Sequence, residues 1–464
     1  MEEARSIVII GGGVTGLSLG AYMKDAGFNC IILEKGKRPG GVIQSVEENG
    51  YIFDVGANST SSNLAFEQMV DILGLRDEVI APTENFKKRY ILKKKKLKHL
   101  NPKPSAFMTS SLLSGAGKKG ILTERFKTAS TTMDDESVGT FFERRFGKEI
   151  VDYIINPVLA GIYAGDPYKL GMQSVMPKIA ELEARYGSLT KAIKKEKDFM
   201  PKREIRSFKK GMSTFIDGLV DYIGADDILS DTEVKKVVHN EDGTFSLGLL
   251  QEGYSLEIAA DVVVFATPAY TTAEFIRPIN NDMADLLARV YYPKMMVLQL
   301  GFDAKSIKQK LDSFGFLVPE VEKKAFLGAI WNSALFPNRA PEGKKAFTLF
   351  IGGVRNEDQV TAENIERLKS TAIDEFMEIM GIKDVPEYVN HYIWDKAIPQ
   401  MDVGHQSLVE SIGMFEGNIK NLHIIGNYRS GLSVADCVLG AKQAHGRLIK
   451  DYSRQSFWAA KDAE

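Results

Sequence analysis

The sequence predicts an α/β protein built on a Rossmann-like nucleotide-binding unit, and three observations predict it. The β-branched run Ser6-Ile7-Val8-Ile9-Ile10 ends directly in Gly11-Gly12-Gly13-Val14-Thr15-Gly16. A second apolar run, Cys30-Ile31-Ile32-Leu33, ends on Glu34, about 20 residues past the turn, where the dinucleotide fingerprint requires an acidic side chain. Far down the chain, Asn421-Leu422-His423-Ile424-Ile425-Gly426-Asn427 repeats the strand-then-glycine corner.

Each element has a physical reason. Residues 17–26 read as an amphipathic helix stopped by Gly27. Gly11 permits the tight turn, Gly13 lets backbone approach a diphosphate, and Gly16 lets the helix pack closely on the strand. The helix N-terminus offers unpaired N–H groups and partial positive charge to the anion, and Glu34 accepts hydrogen bonds from a ribose diol. Gly40-Gly41-Val42 and a further strand, Tyr51-Ile52-Phe53-Asp54, opening into Val55-Gly56-Ala57-Asn58-Ser59, supply small residues for close cofactor approach. Leu432-Ser433-Val434 leads into a helix expected over 435–447. A cofactor that needs both ends of the chain is long, and a second helix dipole there would stabilise negative charge on a reduced isoalloxazine, so FAD fits better than NAD.

Composition narrows the class. The chain has 464 residues, 44% hydrophobic and 26% charged, enough for two or three globular domains. Lys plus Arg number 59 against 61 Asp plus Glu, so the net charge of −2 gives no reason to expect nucleic acid. Two cysteines, Cys30 and Cys437, make no disulfide framework, and a reducing, cytoplasmic setting is expected. The N-terminus has no room for a signal peptide before its first strand, and no apolar stretch approaches a membrane span, so membrane contact would be peripheral, at the inner face. The six histidines are scattered without metal-ligand spacing, and no metal site is expected.

Gly40-Gly41 together with the Gly426 segment resembles the FAD-containing amine oxidase superfamily. Gly161-Ile162-Tyr163-Ala164-Gly165-Asp166-Pro167, Gly315-Phe316-Leu317-Val318-Pro319, Phe336-Pro337-Asn338-Arg339-Ala340-Pro341, Phe350-Ile351-Gly352-Gly353 and Ala397-Ile398-Pro399-Gln400 are similar, in the same order, to segments of the protoporphyrinogen/coproporphyrinogen oxidase family of haem biosynthesis. The resemblance spans nearly the whole chain.

That resemblance implies a cofactor, a substrate and a role for particular residues. FAD is held by Gly11, Gly12, Gly13, Val14, Thr15, Gly16, Glu34, Lys35, Gly41, Val42, Gly56, Ala57, Asn58, Ser59, Val234, Gly426, Leu432, Ser433 and Val434. A porphyrinogen lies beside it between Leu317, Ile330 and Phe350, positions that would otherwise read as plain core. Arg89 pairs with a substrate propionate, and the backbone carbonyl of Gly161 is the catalytic candidate, assisting deprotonation of a substrate N–H. Positioning dominates, because aromatisation itself drives the reaction. Two electrons leave per cycle, three cycles complete the six-electron oxidation, and the acceptor is O2, giving H2O2, or a quinone. The run from Lys87 to Lys98 carries eight Lys or Arg and no carboxylate: a solvated hairpin face, or a surface that steers substrate or touches anionic lipid.

The expected organisation is a discontinuous Rossmann-like FAD-binding domain from 1–85, 205–268 and 398–464, a mixed α+β substrate domain from 86–101 and 269–397, and a helical insertion domain over 102–204 in contact with the membrane. A homodimer is one reading of the oligomeric state. Two alternatives stand beside the porphyrinogen oxidase, for which protoporphyrinogen IX and coproporphyrinogen III both remain open substrates. Another amine oxidase would place an aromatic pair at the flavin, and residues 426–429 supply one ring. A binding protein like the GDP-dissociation inhibitors would have the architecture without the flavin.

Overall fold

A computed structural model describes residues 6–101, 108–128, 135–196 and 204–461, so parts of the expected domain ranges lie outside the described residues. A five-stranded parallel sheet runs in the order Ile228–Leu229, Cys30–Leu33, Ile7–Ile10, Val262–Phe265, Leu422–Ile424. It draws on three widely separated stretches of chain. All four residues of the first strand are buried, the pattern of a parallel sheet covered on both faces. Alternate residues feed two cores. Ile7 and Ile9 pack with helices Val14–Asp25, Ser213–Ile223 and Val434–Lys461, while Val8 and Ile10 face helices Ala269–Ile276, Asn281–Ala288 and His405–Asn418.

A seven-stranded mixed sheet is ordered Tyr388–Trp394, Met295–Asp303, Lys344–Gly352, Phe326–Ile330, Gly315–Leu317, Arg89–Lys93, Lys96–Leu100. Helix Ile365–Met380 closes one face, its Leu368, Ala372, Phe376 and Met380 meeting Phe316, Ala329, Leu349 and Ile351 at i, i+4 spacing. The opposite face is left for the helical segment and the parallel-sheet unit. Trp394 Nε1 donates to the Val55 carbonyl at 2.8 Å, tying this sheet to the end of the Tyr51–Asp54 strand, which pairs with Ser45–Glu48.

The helical segment is more broken than its periodicity suggests. One helix expected over 137–155 is Val138–Phe146, a turn at Gly147 with φ +92°, then Lys148–Ile150 and a π-helical stretch Val151–Ile155 leading into Asn156–Tyr163. Gly147 and Gly187 take left-handed backbone, which ends helices at low cost. The second periodic stretch, 175–197, likewise divides into Pro177–Tyr186 and Leu189–Lys195, and its last residue lies outside the described residues. Arg145 and Glu124, both 0% exposed, are ion-paired at the centre, and Glu124 also accepts from Ser188, Leu189 and Thr190, capping the Leu189–Lys195 helix. Burial alone would raise the Glu124 carboxyl, but hydrogen bonds from Thr190, Arg145 and Ser188 outweigh it and hold it down at about 2. Among the described residues no helix is long and apolar enough to cross a membrane.

Candidate active site

The carboxyl ends of the parallel strands open into a cavity of about 810 Å³. That is the crevice in which open α/β sheets hold ligands. Its floor is Ile10, Gly11, Leu33, Glu34, Ala266 and Gly426, the residues where four strands stop. The helix begins at Val14, earlier than the sequence pattern indicates, so Gly13 is its N-cap and no side chain caps it. The first-turn N–H groups are therefore open to an anion in the cavity.

The three fingerprint glycines do different work. A Cβ on Gly11, whose φ is +109°, would stand 2.9 Å from the Ala266 carbonyl oxygen, and one on Gly16 would stand 2.1 Å from that of Gly11. A Cβ on Gly13 meets no protein atom within 4 Å. It would enter only the cavity, the space a diphosphate needs. Gly12 N–H donates to Glu34 Oε2 at 2.8 Å and Gly36 N–H to Oε1 at 2.6 Å, which fixes the carboxylate at the cavity edge with lone pairs left for a diol. This donor set and cradle fit a dinucleotide.

Of the sequence-predicted cofactor residues, Gly11, Gly13, Val14, Thr15, Glu34, Lys35, Gly41, Val42, Ala57, Val234, Gly426, Leu432 and Val434 line the cavity. Gly12, Gly16, Gly56, Asn58, Ser59 and Ser433 do not. They support the wall: a Cβ on Gly56 would sit 2.0 Å from the Val42 carbonyl oxygen, Asn58 O accepts from Ser207 Oγ at 2.9 Å, Ser59 Oγ donates to Asn58 Oδ1, and Ser433 Oγ accepts from Asp436 N–H. The sequence pattern does not reveal Thr267, Tyr270, Tyr292, Lys396 and Ala397, which also stand in the wall. Pro268, just past the Val262–Phe265 strand, is a local signal for the first two; the others arrive from the second sheet without one. Lys396 Nζ lies 3.8 Å from the Tyr270 ring centroid. Cys437 also lines the cavity, and burial pushes its thiol up to about 12. His405 is buried, its Nε2 2.6 Å from the Tyr428 carbonyl oxygen, and burial lowers its pKa.

None of Gly161, Arg89, Leu317, Ile330 and Phe350 lines this cavity. The seven-stranded sheet nevertheless brings them together. Leu317 pairs with Gly328, and Gly328 with Phe350, so Leu317 and Phe350 stand in one row, with Ile330 two residues on from Gly328. Tyr90 pairs with Phe316, which puts Arg89 on the same face as Leu317. That face is the one helix Ile365–Met380 leaves open. Helix Asn156–Tyr163 crosses it so closely that a Cβ on Gly161 would meet Leu317 Cδ2 at 2.7 Å. Gly161 sits in the last helical turn, where carbonyls lack an i+4 amide. Phe350 and Ala397 pack against one cluster, Ala160, Ala164, Met295 and Leu327, and Ala397 itself lines the cavity. The Arg89 guanidinium stacks 4.4 Å from the Phe314 centroid, and burial lowers its pKa.

The basic run is a hairpin, Arg89–Lys93 with Lys96–Leu100, and four of its lysines pair with carboxylates elsewhere: Lys87 with Glu84, Lys88 with Asp312, Lys93 with Glu149, Lys95 with Glu378. The last three pairs join the hairpin to neighbouring elements, and the pair of Lys87 and Glu84 is local.

A family model described as flavin containing amine oxidoreductase matches residues 14–449. Protoporphyrinogen oxidase 2 of Arabidopsis thaliana is 31% identical, over 96% of this chain and 94% of its own. Coproporphyrinogen III oxidase of Staphylococcus aureus is 28% identical, over 96% and 99%. Among solved structures, one from Exiguobacterium sp. 255-15, provisionally described as a protoporphyrinogen oxidase, superposes with a TM-score of 0.82 at 20% identity over 96% of this chain and 99% of that one. Reduced UDP-galactopyranose mutase does so with 0.73 at 16% identity over 96% and 94%. At such identities the structures bear on the fold alone.

Proposed function

The chain belongs to the flavin-containing amine oxidoreductase family and is an FAD-dependent oxidoreductase, and from that premise we propose that it oxidises a porphyrinogen to a porphyrin. Protoporphyrinogen IX is the first substrate, because relatives of that name are the more similar, at 31% identity against 28%. Coproporphyrinogen III is the second. We place the substrate slot on the apolar face along the row Leu317, Gly328, Phe350 beneath Gly161, and the observation that supports it is that Phe350 packs on the same apolar cluster as Ala397 of the cavity wall.

FAD, when bound, supplies the two-electron chemistry. The Gly13 corner and the Val14–Asp25 helix hold its diphosphate, and Glu34 its ribose. Leu317, Ile330 and Phe350 exclude water and hold the macrocycle against that face. Arg89 fixes it by a propionate, a planar bidentate contact in desolvated surroundings. The Gly161 carbonyl accepts a hydrogen bond from a substrate N–H and so assists loss of that proton to solvent. Three such turnovers complete the oxidation, with O2 or a quinone as terminal acceptor. A cytoplasmic location belongs to the same proposal and is supported by the two unpaired, buried thiols.

The test is direct: flavin-loaded protein is given protoporphyrinogen IX and coproporphyrinogen III, with porphyrin fluorescence and peroxide followed together. Porphyrin formation faster than air oxidation, with about three peroxides per ring, is expected if each turnover removes two electrons. No acceleration with either substrate ends the proposal.

A further inference from the structure

A second guanidinium stands at the far end of the slot. Arg355, in the short helix Gly353–Asn356, donates from Nη1 to the Val318 carbonyl at 3.2 Å and from Nη2 to Asn156 Oδ1 at 3.1 Å. Both acceptors are neutral, and among the described residues no carboxylate oxygen lies within 4.0 Å of this guanidinium. Glu320, a charge of opposite sign that acts on it, is engaged by Asn156 Nδ2 at 3.1 Å. Burial lowers the Arg355 pKa, with Glu320 opposing. A half-buried cation without a bonded counter-charge is costly unless an anion completes it.

Its place relative to the slot follows from the register. Val318 succeeds Leu317, and Asn156 opens the helix whose Gly161 meets Leu317, so Arg355 is on the helix-covered side of the sheet. Phe316 pairs with Tyr90 and Leu317 with Ile91, which puts Arg89 beside Gly315, three residue steps from Val318. At about 3.3 Å per step the backbone position beside Arg89 and the one bonded by Arg355 are on the order of 10 Å apart along this strand, with Leu317 between them. That spacing suits two carboxylates on one macrocycle lying over Leu317.

We propose that Arg355 takes a second propionate of the substrate, so that Arg89 and Arg355 hold the ring at two points. This rests on the porphyrinogen reading and extends it to how the substrate is oriented. An Arg–carboxylate contact of this kind fixes geometry as well as affinity. It therefore selects among rings by where their propionates stand.

The experiment compares wild type, R355Q and R355K, all flavin-loaded, on protoporphyrinogen IX and on its dimethyl ester in the same detergent. R355Q is expected to raise KM for the free acid about tenfold with kcat little changed, as for one lost charge-assisted bond, and R355K to fall between. With the ester, wild type and R355Q are expected to share one KM. An equal KM ratio on acid and ester, or no change on the acid, overturns the proposal. Should R355Q not fold, the acid-to-ester comparison on R355K decides in the same way. A wild type inert toward acid and ester alike, and toward coproporphyrinogen III as well, overturns the porphyrinogen reading and this inference with it.

Discussion

Substituting Gly13 with Val separates folding from cofactor retention. Gly13 has φ −72° and ψ 173°, extended backbone that any residue adopts, and an added Cβ meets nothing within 4 Å. The apoprotein therefore loses about 1 kcal/mol or less, the difference between glycine and an apolar residue at a helix N-cap. In the holoprotein the same methyl groups occupy the space in front of the first-turn N–H groups. Displacing the diphosphate from one or two of these charge-assisted bonds costs about 3 kcal/mol, or roughly a hundredfold in Kd. The assay strips flavin from both proteins, titrates FAD by quenching of its fluorescence, and melts both apoproteins. Equal FAD affinity would remove Gly13 from the diphosphate site. Equal loss of apoprotein and holoprotein stability would show a packing role instead.

Gly16→Ala is expected to do the opposite, costing about 1–3 kcal/mol of apoprotein stability because its Cβ meets backbone at 2.1 Å; a melting curve like wild type contradicts the packing argument. Arg89→Ala should raise the porphyrinogen KM with little change in kcat, and unchanged steady-state kinetics takes Arg89 out of the site. Glu124 has its carboxyl held down at about 2, so its contribution to stability is fully present above the ordinary value near 4.5 and is lost as pH falls through about 2. The urea-midpoint gap between wild type and E124Q should accordingly narrow across that window, and a constant gap refutes the assignment. Burial pushes both thiols, Cys30 and Cys437, up to about 12, so at about pH 8 a thiol reagent should label neither in native protein and both after denaturation.

The nucleotide corner was legible because its signals are local. Strand, glycine turn, helix and Glu34 fall within about 30 residues, the length of one βαβ unit, and each glycine answers a steric demand written beside it. The wall around them was legible only where a corner repeated that logic, as at Gly426. Tyr292, Lys396 and Ala397 carry no such mark, since the pairing of distant strands brings them in. Asn58 and Ser59 read as cofactor contacts because small polar loop residues do so generally, and the bonds from Ser207 Oγ to the Asn58 carbonyl and from Ser59 Oγ to Asn58 Oδ1 hold that loop beside Ala57 of the cavity wall. The basic hairpin misleads in another way: charge along a sequence does not reveal carboxylates on neighbouring elements, and Asp312, Glu149 and Glu378 answer several of its cations. The slot residues came from family resemblance, and only strand register gives them a common face.

The central parallel strand carries a consequence for synthesis. Ile7–Ile10 lies between Cys30–Leu33 and Val262–Phe265, and the outer strand Leu422–Ile424 joins last. A ribosome moving at about 5–20 residues per second leaves the first two strands of this sheet without their next neighbour for on the order of 10–50 s. Those apolar strands are exposed edges throughout that interval, a demand on chaperones. Flavin capture must also wait, because the corner at Gly426 is translated long after the turn at Gly11. Cofactor supply during expression should thus govern the yield of folded chains released, more than the rate at which they elongate.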